Sequence, residues 1–192
     1  MKHPPKHTRT LEITFTALFA AIIAVLAVIP VPINFLGVPV TFQTFAVAFC
    51  GFALGWKLGL GSVGIYLFLG ALGLPVFSNM QGGFAKLIGP TGGFLYGFLL
   101  LVFFCGLSVR VSRRGWRWAF GILLGTVGLL LCHLCGILQL AAVNHISVSA
   151  AFKGASLPFL PKDILSVLLA FSLSELVRKR LPFDLSLSSN RS

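Results

Sequence analysis

Long apolar stretches separated by short polar or basic segments dominate the chain. A helix needs roughly 20 predominantly apolar residues to cross a bilayer, and most of these stretches approach that length. The pattern therefore predicts an all-α integral membrane protein built as a six-transmembrane-helix bundle. The predicted spans are residues 11–29, 41–55, 58–74, 91–109, 119–142 and 161–177. The second is short for a full crossing, and prolines break the segment 30–40 that precedes it, which predicts an ordered outward loop there.

The composition supports this assignment. The chain has 192 residues, of which 57% are hydrophobic and 10% charged, and its mean hydropathy is +0.97. A soluble domain carries roughly 25% charged residues, so a water-soluble globule is excluded. We expect one membrane domain over residues 11–177, a tail at 1–10 and a basic, Ser-rich tail at 178–192.

The basic residues lie almost entirely on one side of the predicted bundle. Of 15 Lys and Arg residues, 12 fall in the two tails and in the loops after the second and fourth spans. Basic residues near span ends stay cytoplasmic, so both termini are predicted to be cytoplasmic, in the plasma membrane. These cations set the topology and contact anionic lipid headgroups. The net charge of +11 therefore does not predict nucleic-acid binding. The outward cations are Lys86, Lys153 and Lys162.

Asp163 is the most informative polar residue, because a carboxylate at membrane depth is costly and usually functional. It begins the last span on the outward side, beside Lys162, which could snorkel or attract an anion. A purely structural first-turn role for Asp163 is the alternative. The other outward candidates are of three kinds. They are amides that donate and accept hydrogen bonds, an amphipathic tyrosine, and glycines that allow close backbone approach. These are Asn79, Gln43, Tyr96, Gly92 and Gly93.

The four cysteines lie inside apolar spans and predict no disulfide framework. Cys132, His133 and Cys135 are close in sequence, as in a metal or redox motif, but structural zinc normally takes four ligands. We therefore predict no metal site and no cofactor, and keep a membrane thiol redox enzyme using Cys132 and Cys135 as an alternative. The chain also lacks a phosphate-binding loop motif, so it is not predicted to hydrolyse ATP.

Small residues repeat along one face of the first span, at i, i+3, i+4 and i+7. Such surfaces let two membrane helices pack closely. They fit a partner subunit and internal packing of the bundle about equally well. The residues are Ala17, Ala20, Ala21 and Ala24.

Four segments resemble one family. They are GVPVTFQT at 37–44, GALGLPVF at 70–77, GPTGGFLYGF at 89–98 and LPFLPKDIL at 157–165. Together they are similar to the biotin-specific substrate-binding subunit (S-component, BioY) of energy-coupling factor transporters. The resemblance extends over all six spans in order.

The resemblance implies a bundle with an outward biotin pocket, and partners that energise transport: a transmembrane coupling subunit and two ATP-binding cassette ATPases. It also implies that the Ala17/Ala21 surface contacts the coupling subunit. Asp163 matches the acidic residue of the family's ligand site, and Asn79 matches its loop amide.

The chain departs from the family pattern Pro-Gly-Asp-x-x-Lys near the last span. Lys162 stands at the Gly position and Ser166 at the Lys position. Either Lys162 substitutes for the missing cation, or affinity and specificity differ. An S-component for another small vitamin or metabolite therefore stays open, as does a structural membrane protein without a ligand.

Overall fold

The computed structural model describes residues 6–29, 34–35, 38–39, 41–110, 114–178 and 180. The fold is almost entirely α-helical. Besides two short 3-10 turns at Ser78–Met80 and Ser108–Arg110, it contains a two-residue antiparallel pair, β1 (Asn34–Phe35) with β2 (Val38–Pro39). The helices are α1 (Lys6–Val28), α2 (Gln43–Ala71), α3 (Phe84–Ile88), α4 (Gly92–Leu107), α5 (Arg114–Asn144), α6 (Val148–Ala155) and α7 (Leu160–Arg178).

α2 reverses direction at Gly55. This glycine has φ 78° and ψ 172°, inside an otherwise helical segment. Gln43 Nε2 lies 2.7 Å from the Tyr66 hydroxyl oxygen, whereas 23 residues of straight helix would separate them by roughly 34 Å. The two halves, 43–54 and 56–71, are therefore antiparallel, as the two predicted spans 41–55 and 58–74 require. The reversal falls at the end of the predicted second span, just before Trp56 and Lys57.

The reversal predicts a specific cost for a side chain at residue 55. Gly55→Ala should destabilise the protein by about 1–3 kcal/mol, because this backbone region is essentially restricted to glycine. A Cβ would meet no atom within 4 Å at either Gly55 or Gly64, so Gly64→Ala, within the second half of α2, is the matched control. We expect it to be neutral or slightly stabilising. Thermal unfolding in detergent compares the two, and equal melting temperatures would contradict the assigned reversal.

Glycines also place α4 between α2 and α5. A Cβ on Gly51 would lie 2.6 Å from the Val102 carbonyl oxygen, and one on Gly97 would lie 2.7 Å from the Cys132 Cα. Close contact of this kind is how small residues bring membrane helices together. The hydrophobic core lies along these helix contacts and includes Phe52, Tyr66 and Leu101.

The helices make the chain an integral membrane protein. Within the described residues, α2 and the segments 9–28 of α1 and 116–144 of α5 are long and apolar enough to cross a membrane. α6 and α7 meet at 59° and together form a fourth candidate, while α4 is a shorter apolar helix. Because α2 reverses, its halves extend only roughly 18 and 24 Å, less than the roughly 30 Å hydrocarbon core.

Two helices lie where the sequence predicted connections. α3 falls between the predicted spans 58–74 and 91–109, and α6 falls between the predicted spans 119–142 and 161–177. α6 begins at an N-cap, Ser147, whose hydroxyl oxygen accepts a hydrogen bond from the Ala150 amide at 3.2 Å. Both helices are shorter than a membrane span, so no long apolar stretch of the sequence marks them.

Candidate functional site

A cavity opens where the start of α2, the Phe77–Ser78 turn, α3, α4, α5 and the α6–α7 bend meet. It encloses about 690 Å³ of empty space, including its solvent-open mouth. Its apolar wall is largely aromatic and is formed by Phe77, Phe94, Phe98 and Phe159. The polar side chains in the wall are Thr41, Gln43, Thr44, Ser78, Lys86, Thr91, His133, Lys162 and Asp163. The predicted residues Asp163, Lys162 and Gln43 therefore share one cavity.

Asp163 is the central charged group of this cavity. It lies in the first turn of α7 and is only 3% exposed. One carboxylate oxygen, Oδ2, is 3.2 Å from His133 Nε2, and the other, Oδ1, is 2.5 Å from Lys162 Nζ. A buried charge is tolerated when it is paired in this way. The pairing explains how a carboxylate can sit inside an apolar bundle.

His133 is the residue that sequence reasoning missed. It projects from α5, is buried, and its Nδ1 lies 2.9 Å from the Ser156 hydroxyl oxygen while Nε2 faces Asp163. When Nε2 carries the proton it donates to the carboxylate, and Nδ1 accepts from Ser156. The ring is thus fixed at both nitrogens. Its sequence position between Cys132 and Cys135 suggested metal or redox chemistry instead, but an isolated polar ring in an apolar span also indicates a buried carboxylate partner.

Lys162 is bonded within the protein. Its Nζ donates to the Thr41 carbonyl oxygen at 3.0 Å in addition to pairing with Asp163. It therefore ties the start of α7 to the residues before α2. Ser166, at the position where the resembling family has its Lys, is also buried in α7. Lys162 and His133 together provide the polar partners of Asp163.

Gln43 is oriented by two neighbours. Its Oε1 accepts from the Thr41 hydroxyl at 2.9 Å, and its Nε2 donates to the Tyr66 hydroxyl oxygen at 2.7 Å. All three side chains are buried. The amide is held in a fixed orientation at the cavity wall, where it can contact a ligand.

Four predicted ligand residues do not line this cavity. Asn79 is exposed and has a left-handed backbone with φ 59°, although its neighbours Phe77 and Ser78 do line it. Tyr96 is 42% exposed on another face of α4. Gly92 and Gly93 instead let the start of α4 pack directly against the backbone carbonyls of Leu87 and Cys135. Their ligand-binding role stays a prediction.

The cysteines do not form a cluster with metal-binding geometry. Within the described residues, no three His, Cys, Asp or Glu side chains group closely enough to hold an ion. All four cysteines are free thiols. Cys132 lines the cavity, and its Sγ donates weakly to the Phe94 carbonyl oxygen at 3.6 Å.

The alanine surface of α1 is only partly covered. Ala17 and Ala21 are exposed, Ala24 is half-buried, and Ala20 is buried in the core. The i, i+4 pair Ala17/Ala21 therefore leaves a small-residue surface open on the bundle, while Ala20 and Ala24 contribute to internal packing.

An ion pair joins α5 and α7 at the end opposite the cavity. Arg117 pairs with Glu175 from across the two helices, and Arg178 Nη1 lies 3.7 Å from the same carboxylate. Glu175 and Arg178 are three residues apart on one helix, a spacing that brings side chains of opposite charge together.

The helical bundle and the enclosed polar cavity define a membrane protein with an internal small-molecule site. Comparison with known proteins identifies the family. The BioY family profile matches residues 1–183, and the chain belongs to the BioY family.

Relatives and a solved structure agree with this assignment. The chain is 38% identical to a probable biotin transporter BioY of Pyrococcus horikoshii, over 85% of this chain and 94% of the relative. It is 35% identical to the biotin transporter BioY of Thermotoga maritima, over 80% and 87%. The crystal structure of an S-component for biotin from an ECF-type ABC transporter superposes with a TM-score of 0.86 at 27% identity, over 96% of this chain and 99% of that one.

Proposed function

We propose that this chain is the biotin-binding S-component of an energy-coupling factor transporter. Family membership over residues 1–183 carries the proposal, and the cavity around Asp163 supports it. The chain captures biotin on the outward side of the plasma membrane and releases it inward. It is not itself an enzyme, because partner ATPases supply the energy.

The polar cluster suits the bicyclic head of biotin. The ureido group offers two N–H donors and one carbonyl acceptor, so an ionised carboxylate can accept from an N–H and an amide can serve either side. Asp163 and Gln43 provide these groups, while His133 and Lys162 hold the carboxylate in place. The aromatic wall accommodates the rest of the fused ring and the start of the acyl chain.

The topology we propose has six passes and two cytoplasmic termini. The halves of α2 form the second and third passes, α4 the fourth, α5 the fifth, and the α6–α7 pair the sixth. The reversal at Gly55 and the positive-inside distribution of Lys and Arg support this arrangement. Arg117, Glu175 and Arg178 then lie at the cytoplasmic end, opposite the cavity.

The partners we propose are a transmembrane coupling subunit and two ATP-binding cassette ATPases. The exposed Ala17/Ala21 surface of α1 is suited to contact the coupling subunit, since small residues allow close helix approach. After capture, the bundle reorients against the coupling subunit.

Uptake in cells that cannot make or import biotin tests the transport function. Cells that express this chain with a coupling subunit and two ATPases should accumulate labelled biotin, and cells with an ATPase inactivated should not. Accumulation of a different labelled vitamin in place of biotin would instead favour the second candidate, an S-component of other specificity. The departures at Lys162 and Ser166 keep that candidate relevant.

The cysteines distinguish the transporter from a thiol redox enzyme. Exchanging Cys132 and Cys135 together for Ser should change biotin affinity less than about threefold, because a hydroxyl nearly matches the thiol in size and weak hydrogen bonding contributes little. Equilibrium binding to the purified double variant measures this. Abolished binding, with the melting temperature unchanged, would show that the thiols take part in function.

A further inference from the structure

Two cations and one anion line the cavity, which therefore carries an excess positive charge. The anion is Asp163, and the cations are Lys86 and Lys162. Lys162 is already bonded to Asp163 and to the Thr41 carbonyl oxygen. Lys86, on α3, makes no hydrogen bond or ion pair within the described part of the chain. The cavity thus has one positive charge that no described residue of the protein neutralises.

The segment that carries Lys86 is held in a defined position. Gln139 of α5 donates from Nε2 to the Leu87 carbonyl oxygen at 2.8 Å and to the Gly89 carbonyl oxygen at 2.7 Å. Leu87 itself is buried in the core. α3 is therefore fastened to α5 directly beside Lys86, and the lysine is half-buried at the cavity wall. Its placement is built into the fold.

The chain has few acidic groups that could neutralise this lysine. It contains four Asp and Glu residues in total. Among the described residues, Asp163 alone lies in the cavity, where Lys162 and His133 already pair with it. Glu175 pairs with Arg117 and Arg178 at the other end of the bundle. Glu12 lies on α1 outside the cavity lining, and Asp184 lies outside the described residues. An anionic ligand group is therefore the candidate partner that we consider.

We infer that Lys86 binds the carboxylate of the ligand and so selects acids over their neutral derivatives. This inference rests on the proposed function, which supplies a ligand with a ureido head and an acidic chain. The head binds at Asp163, a carboxylate that repels a second carboxylate. The acidic end must therefore lie away from Asp163. Lys86 is the uncommitted cation of the same cavity, and its ammonium can donate charge-assisted hydrogen bonds to a carboxylate.

The test compares biotin with biotinamide, in which the carboxylate is replaced by a neutral amide. Purified protein is titrated with both ligands for the unaltered chain, Lys86→Met, Lys86→Arg and Lys153→Met. The Met exchange keeps an unbranched side chain without the charge. Lys153 is the matched control, because it is exposed on α6 and outside the cavity.

The unaltered chain should prefer biotin over biotinamide by about tenfold or more, as expected for one charge-assisted hydrogen bond. Lys86→Met should lose most of that preference by weakening biotin alone. Lys86→Arg should restore it, and Lys153→Met should leave it unchanged.

Two results would overturn the inference while the proposed function stands: equal binding of both ligands by the unaltered chain, or an unaltered preference in Lys86→Met. A chain that binds neither ligand would contradict the proposed function itself. Because the ratio of two affinities is measured on each variant, a fraction of misfolded protein does not change the outcome.

Discussion

Asp163→Asn should weaken biotin binding by about 1.5–3 kcal/mol, which corresponds to roughly 10- to 150-fold in the dissociation constant. The exchange keeps the shape of the side chain but removes the charge that a ligand N–H would meet. It also removes the partner of His133 and Lys162, which lie 3.2 and 2.5 Å from the carboxylate oxygens. Both effects weaken the site in the same direction.

The measurement is an equilibrium titration of the purified variant with biotin, together with its melting temperature. Ser172→Ala is the matched control in α7, because the Ser172 hydroxyl donates to the Leu168 carbonyl oxygen of its own helix and does not line the cavity. It should bind biotin like the unaltered chain. An Asp163→Asn variant with unchanged affinity would remove Asp163 from the ligand site.

His133→Asn should lower the free energy of unfolding by about 1–3 kcal/mol, the cost of leaving buried polar groups without hydrogen bonds. The shorter amide cannot reach Asp163 and Ser156 together, which His133 contacts from its two ring nitrogens. The carboxylate then loses its fixed orientation, so biotin affinity should fall as well. Thermal unfolding in detergent and a biotin titration measure the two effects.

The same exchange at His145 is the control. His145 is exposed after α5 and has a left-handed backbone with φ 53°, which Asn tolerates. His145→Asn should therefore change neither stability nor affinity measurably. If His133→Asn, like His145→Asn, changes neither the free energy of unfolding nor biotin affinity, the His133–Asp163 pair does not organise the cavity.

Much of the fold follows from the distribution of apolar residues. The predicted spans coincide with α1, the two halves of α2, α4, α5 and α7. A long apolar run in lipid must satisfy its backbone hydrogen bonds internally, which a helix does. The reversal within α2 is encoded locally, by a glycine that can adopt φ 78°. α3 and α6 were not predicted, since a short helix is stabilised by contacts with the bundle that no local pattern reveals.

The site was predictable only in part. Asp163 stands out because a carboxylate in an apolar context is costly. Tyr96 was selected for its chemistry, but the α4 residues that face the cavity are Phe94, Leu95 and Phe98. A residue two positions from Phe94 points to a different face of the helix. Residue type alone does not show which α4 side chains face the cavity, because packing of α4 against α2 and α5 determines which side of the helix that is.

His133 illustrates a second limit. Its contacts with Asp163 and Ser156 join residues that are 30 and 23 positions away in the chain. The polar ring in an apolar span indicates a buried partner, but the residues around it do not show which carboxylate or hydroxyl that partner is. Lys162 is similar, because its bond to the Thr41 carbonyl oxygen joins residues 121 positions apart in the chain. Long-range pairing of this kind becomes visible only in the folded protein.

The most direct test of the central claim is a titration of the purified chain with biotin in detergent or nanodiscs. We predict saturable binding of one biotin per chain, with a dissociation constant in the micromolar range or tighter, and no need for partner subunits. Absence of saturable binding by folded protein at micromolar biotin would contradict a biotin-binding function.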